Sequence, residues 1–121
     1  MQRNWECVRA ILFGVEQLGD TCSILQAHDV SGFDAATVSY HMQLLIDAGL
    51  VRGTCSHYIN APMACMVTSL TWEGHEFLDR TRSSGAWNKV KTVAREKGVA
   101  LSFDVIKTIA QHMVTALLDG K

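Results

Sequence analysis

Proline is nearly missing from this 121-residue sequence, Pro62 being the only one. Long helices are therefore permitted along most of the chain, because proline is the residue that interrupts them. No apolar run exceeds a few residues, which excludes a bilayer-spanning helix. The four cysteines (Cys7, Cys22, Cys55 and Cys65) include no Cys-x-x-Cys pair, and there is no glycine-rich phosphate loop. The opening stretch MQRNWECVRAILFGVEQ carries acids within its apolar part and reads as an amphipathic helix rather than a secretory signal. These absences lead to the expectation of a cytoplasmic protein, with no membrane contact and with its cysteines as reduced thiols.

Cations are also missing where they would matter most. The segment VSYHMQLLIDAGLV, residues 38–51, contains no Lys or Arg. Net charge is −1, but it is unevenly spread. Residues 1–79 hold Arg3, Arg9 and Arg52 against nine acids, whereas residues 80–97 hold Arg80, Arg82, Lys89, Lys91, Arg95 and Lys97 against Glu96 alone. A nucleic-acid binder places cations over phosphates. Here the cations lie downstream of the helix that should read bases.

What is present is a globular balance, 48% apolar and 19% charged, over one domain's length of chain. In NWECVRAILFGVEQL, Trp5, Val8, Ile11, Leu12, Val15 and Leu18 share one helical face, with Phe13 left off it and Gly19-Asp20 as the stop. TCSIL is short, β-branched and strand-like, although SILQAHDV also suits one helical turn. Asp34 is a good N-cap for a helix running to about Ala48, with Gly49 supplying the left-handed position after it. Residues 50–71 alternate on both sides of YINAPM and predict a β-hairpin. Folding about Asn60 sets Cys55 opposite Cys65 and Gly53 opposite Val67. Thr71 caps WEGHEFLDRTR, AWNKVKTVAREK is a short basic helix closed by Gly98, and Ser102 caps FDVIKTIAQHMVTALL. The order is helix, strand, helix, hairpin and three helices, in which the hairpin is the wing of a winged helix-turn-helix. The expected fold is mostly α (α+β): a winged-helix-like core over residues 1–82, with a C-terminal helical extension, 83–121, packing on it as one compact domain.

TVSYHMQLLIDAGLV is similar to the recognition-helix segment of bacterial winged-helix regulators of the arsenic-sensor and multiple-antibiotic-resistance types. LTWEGHEFLD resembles the strand, Leu-Thr, helix step that follows their wing. Through NWECVRAIL, YHMQLLIDAGLV, LTWEGHEFLD, WNKVK and LSFDVIK, most of the chain resembles a bacterial and prophage family of unknown function. The resemblance implies a winged-helix core and a prophage or mobile-element setting, and it implies no activity.

At 100° per residue, Val38, Met42 and Leu45 centre the inward face of residues 35–48, flanked by Ala35, His41 and Ile46. Ala36, Tyr40, Gln43, Leu44 and Asp47 face outward, with Thr37 and Ser39 at the edges. In the regulators the chain resembles, the positions of Tyr40, Gln43 and Leu44 are commonly Arg or Lys. Gln43 can still pair with adenine, and Thr37 or Ser39 with a phosphate. Tyr, Leu and Gln side by side describe a protein-contact surface equally well. The wing tip carries no Lys or Arg, and Arg52 at its base is the nearest fixed cation. Arg80, Arg82, Lys89 and Arg95 are the best phosphate contacts available, or else form a solvated face. The leading expectation is a non-enzymatic, DNA-associated regulatory module on double-stranded DNA. The alternative is a protein-binding module that acts on a host protein and keeps the scaffold without reading DNA.

Cys55, His57, Cys65 and His75 can be drawn as a zinc site, but without ligand pairs two to four residues apart, packing or exposed thiols are the expected reading. A Cys55–Cys65 disulfide fits across a hairpin, yet a reducing cytosol disfavours it. No acid–base pair or nucleophile motif emerges, so neither an enzyme nor a cofactor is expected. In the last helix Phe103, Ile106, Ala110, Met113 and Leu117 form a seam. That seam either packs on the first helix or, with Phe13, builds a homodimer interface from Phe13, Ile106, Ala110, Met113 and Leu117.

Overall fold

A computed structural model describes residues 1–118. The fold is α+β and mostly helical: α1 (Trp5–Glu16), β1 (Leu25–Gln26), a one-turn 3-10 helix (Ala27–Asp29), α2 (Ala35–Asp47), β2 (Val51–Tyr58), β3 (Ala61–Leu70), α3 (Trp72–Thr81), α4 (Ser84–Glu96) and α5 (Phe103–Leu118). The three strands form one antiparallel sheet in the order β1-β3-β2. Helix, strand, short turn, helix and two-stranded ribbon follow one another through Leu70, and the C-terminal helices come after them. The chain divides into two compact units at Leu78/Asp79, inside α3.

In the first unit, α1 begins where the Asn4 side chain accepts hydrogen bonds from the Glu6 and Cys7 amides. Its buried face is Cys7, Val8, Ile11, Leu12 and Val15, so Cys7 joins the expected stripe while Trp5 and Leu18 are only half-buried. Trp5 stacks on Phe77, ring centroids 5.8 Å apart. The helix stops at Glu16, before the expected Gly19-Asp20. Of TCSIL only Leu25 lies in a strand, β1. The Asp20 carboxylate accepts from the amides of Cys22 and Ser23 and from the Ser23 hydroxyl, folding residues 20–23 into a tight turn. Pairing begins only at Leu25, opposite Val67. The helical turn that SILQAHDV permits is the 3-10 segment Ala27–Asp29, where Asp29 accepts from the Gln26 amide at 2.9 Å.

Helix α2 starts at Asp34, whose carboxylate accepts from the Thr37 amide at 2.9 Å. The Thr37 hydroxyl first, and the Thr37 amide second, hold its carboxyl below the ordinary aspartate range. The helix ends with Gly49 at φ +77, a conformation that costs glycine nothing. Val38, Met42 and Leu45 are buried. Burying each contributes about 1.5–3 kcal/mol.

The ribbon turns through Ile59 and Asn60, the latter at φ +63, with Tyr58 opposite Ala61. Cys55 faces Cys65 and Gly53 faces Val67, the register that symmetry about Asn60 requires. A β-carbon on Gly53 would run into the Met66 carbonyl, so only glycine fits beside that strand. A register shift between Arg52 and Gly53 marks a bulge. At the start of α3 the Thr71 hydroxyl donates to the Gly49 carbonyl at 2.6 Å and accepts from the Gly74 amide at 3.1 Å, tying the end of α2 to α3.

In the second unit, Ser83 caps α4 by accepting from the Ala86 amide, and Ser102 caps α5 by accepting from the Val105 amide. Helices α4 and α5 pack on each other. Trp87, Val90 and Ala94 of α4 are buried, as are Ile106 and Ala110 of α5. Among the described residues no helix is long and apolar enough to cross a membrane.

Candidate functional site

Helix α2 presents Ala36, Tyr40, Gln43, Leu44 and Asp47 away from its buried triad, all exposed or half-buried. Thr37 is half-buried at the edge. Ser39 is not on this face. It is 4% exposed, and the Cys65 Sγ lies 3.4 Å from its carbonyl, so β3 crosses directly over it. The 100° plot puts Ser39 at the boundary, and the strand above decides the side. Gln43 donates to Asp47 at 2.9 Å, so its amide is engaged along the helix and lies next to an acid.

His41 is completely buried. Its Nε2 accepts from the Asn4 amide at 2.7 Å, and its Nδ1 donates to the Thr37 carbonyl at 2.8 Å. The ring thus ties the start of α1 to α2 and fixes the angle at which Tyr40, edge-on to it with centroids 5.5 Å apart, is displayed.

Between the α2 N-terminus and the ribbon lies a cleft of about 470 Å³. Its walls are Ala35 and Ser39 from α2, Gln26, Ala27 and His28 from the turn before it, and Tyr58, Pro62 and Met63 among the ribbon residues; no Lys or Arg lines it. Beyond the cleft the ribbon tip is apolar and bare, with Tyr58 58% and Ile59 91% exposed. In the sequence this tip is marked by its lack of cations and also by YI at the apex of a turn, where polar residues are the rule. Arg52 is exposed at the ribbon base, its guanidinium 3.4 Å from the Leu70 carbonyl.

The other expected phosphate contacts belong to the second unit. Lys89 and Arg95 are exposed on α4, together with Asn88 and Thr92. Arg82 is held by Asp79 at 2.8 Å, and Arg80 is half-buried.

The thiol expectation is corrected at two of the four cysteines. Cys55 and Cys65 are joined as a disulfide across the ribbon, S–S 2.03 Å, because the register brings them face to face. Neither is then a thiolate, which removes both sulfur ligands from the drawn zinc site. Cys22 is a free, exposed thiol. Cys7 is free and buried, and burial first and the Asp34 carboxylate second push its pKa from 9.0 to about 11, so it is a poor nucleophile.

The expected dimer seam is largely consumed inside the chain. Ile106 and Ala110 are buried, Met113 is half-buried, and only Leu117 is fully exposed. Phe13, half-buried, has the Arg9 guanidinium 5.6 Å from its ring.

The family described as "Hypothetical protein (DUF2513)" matches residues 2–100. A protein of Haemophilus influenzae (strain ATCC 51907 / DSM 11121 / KW20 / Rd), described as "Uncharacterized protein", is 39% identical over 118 residues, spanning 98% of this chain and 99% of its own length. No solved structure matches. With 99 of its residues aligned to the family and an end-to-end relative, the chain belongs to the DUF2513 family.

Proposed function

We propose that this protein is a non-enzymatic regulatory module of a bacterium or its mobile elements, and that its winged-helix-like unit docks a protein instead of reading DNA. One observation carries the reading. The cleft between α2 and the ribbon, where a winged protein grips the duplex, has no Lys or Arg in its lining and opens onto exposed Tyr58 and Ile59. Phosphates require cations at such a place. Asp34 and Asp47, exposed at the two ends of α2, repel them. A cleft without cations that opens onto apolar side chains suits a protein segment with an apolar anchor, of the kind that forms interface hot spots.

The test is a pull-down from bacterial lysate with the wild-type chain and with a Tyr58→Ser/Ile59→Ser double variant as baits. A protein retained by the first and lost by the second supports docking, provided both baits melt at the same temperature. Identical retention by both contradicts it.

A second reading keeps double-stranded DNA as the partner. It is favoured by the exposed Lys89, Thr92 and Arg95 on α4, which form a basic face within the second unit. Charge reversal at Lys89 and Arg95 would then weaken binding to all duplexes alike, with steep salt dependence. Unchanged affinity in a gel shift removes these residues from contact.

A further inference from the structure

We propose that the α4–α5 hairpin of the second unit is a docking groove for a single amphipathic α-helix whose apolar stripe is flanked by Asp or Glu. The groove is open and encloses about 890 Å³. Val93 from α4 and Ile109, Met113 and Leu117 from α5 contribute its apolar surface. Spacings of four residues place Ile109, Met113 and Leu117 along one side of α5, a wall of roughly 12 Å at 1.5 Å per residue. Lys89, Val93 and Lys97 make a matching wall on α4. A groove of that length accepts about two turns of a third helix.

Two features determine the occupant. Leu117 is 77% exposed and its neighbour Val114 53%, so the C-terminal part of α5 is uncovered beyond half-buried Met113. Lys89 and Lys97 flank the apolar wall of α4, are exposed, and have no carboxylate partner among the described residues. Asp79, the one acid on the same rim, is already held by Arg82 at 2.8 Å. A helix with Leu-like residues at i, i+3 or i+4 and i+7 and with acids beside them meets both features. A second copy of the chain would bring the lysines of two grooves together, a like-charge cost. A duplex would lay phosphates on an apolar floor.

The test uses the full chain and a fluorescein-labelled 16-residue helical peptide with one leucine face flanked by glutamates. The control peptide has lysines in place of the glutamates, and a labelled random-sequence duplex serves as a third probe. In fluorescence anisotropy at low salt, the glutamate peptide is expected to bind at least about fivefold tighter than the lysine peptide, as two exposed ion pairs allow. K89E/K97E is expected to invert that preference. L117D is expected to abolish binding of both peptides without changing the melting temperature. The proposal is overturned if the two peptides bind equally, if the glutamate peptide does not bind, or if L117D leaves binding intact. A dimer in sedimentation that L117D dissolves would overturn it in favour of a second copy. Lys89/Lys97-dependent binding of the duplex alone would overturn it in favour of nucleic acid.

Discussion

Helices α2 and α5 carry apolar stripes of similar spacing, and they end up in opposite situations. In α2 the stripe Val38, Met42, Leu45 is sealed, and the structure around it is specified bond by bond: Asp34 at one end, Gly49 at the other, His41 bridging to Asn4. In α5 only Ile106 and Ala110 are buried, and the stripe continues bare through Val114 and Leu117. Charge separates the two units in the same way. Met1–Leu78 has three Lys and Arg against eight Asp and Glu, while residues 79–118 have seven against three. A stripe read from sequence tells which side of a helix is apolar. What covers that side is decided by neighbours that periodicity does not see.

The comparison is sharpened most by truncating one residue in each stripe. Met42→Ala is expected to cost about 2–5 kcal/mol, because it opens a cavity in a sealed core. Leu117→Ala is expected to change stability by less than about 0.5 kcal/mol. Urea unfolding of both variants checks this, and a large loss at Leu117 would mean that α5 is covered in solution. Next in size is the disulfide. Closing a loop of 10 residues' separation contributes about 3 kcal/mol by chain entropy. Cys55→Ser, or dithiothreitol on the wild type, is therefore expected to lower the thermal midpoint. An unchanged midpoint would show that the cysteines are not joined in the folded protein.

His41→Leu strips the Asn4 amide of its acceptor and is expected to cost about 1–3 kcal/mol. His112→Leu on the exposed side of α5 is expected to be near neutral. Cys7 gives a pH-dependent effect. Its pKa is raised in the fold to about 11 from 9.0, so above pH 9 the unfolded chain loses this proton while the native chain keeps it. Stability then falls between about pH 9 and pH 11, the sign required when the native state binds more protons. Cys7→Ser is expected to flatten that decline in alkaline melts.

Local chemistry was legible. Asp34, Thr71 and Ser102 announce helix starts because their side chains satisfy amides within three residues. Gly49 closes α2 because only its backbone geometry is needed, and the ribbon register follows from a turn centred on Asn60. What escaped were outcomes of crossing elements. Ser39 sits at a helix edge until β3 passes over it, and Ile106 and Ala110 belong to a seam that the chain itself fills. TCSIL has strand-like residues, but one carboxylate, Asp20, holds three donors and wins locally over β propensity. The apolar ribbon tip is legible as YI, since polar residues are the rule at the apex of a turn.

The most direct measurement is binding to a random-sequence duplex at rising salt, comparing the wild type with a Tyr40→Ala/Gln43→Ala/Leu44→Ala variant. Protein docking by the first unit requires that the α2 substitutions leave any duplex affinity unchanged at every salt concentration. Duplex binding that falls steeply with salt and disappears with those three side chains would contradict it.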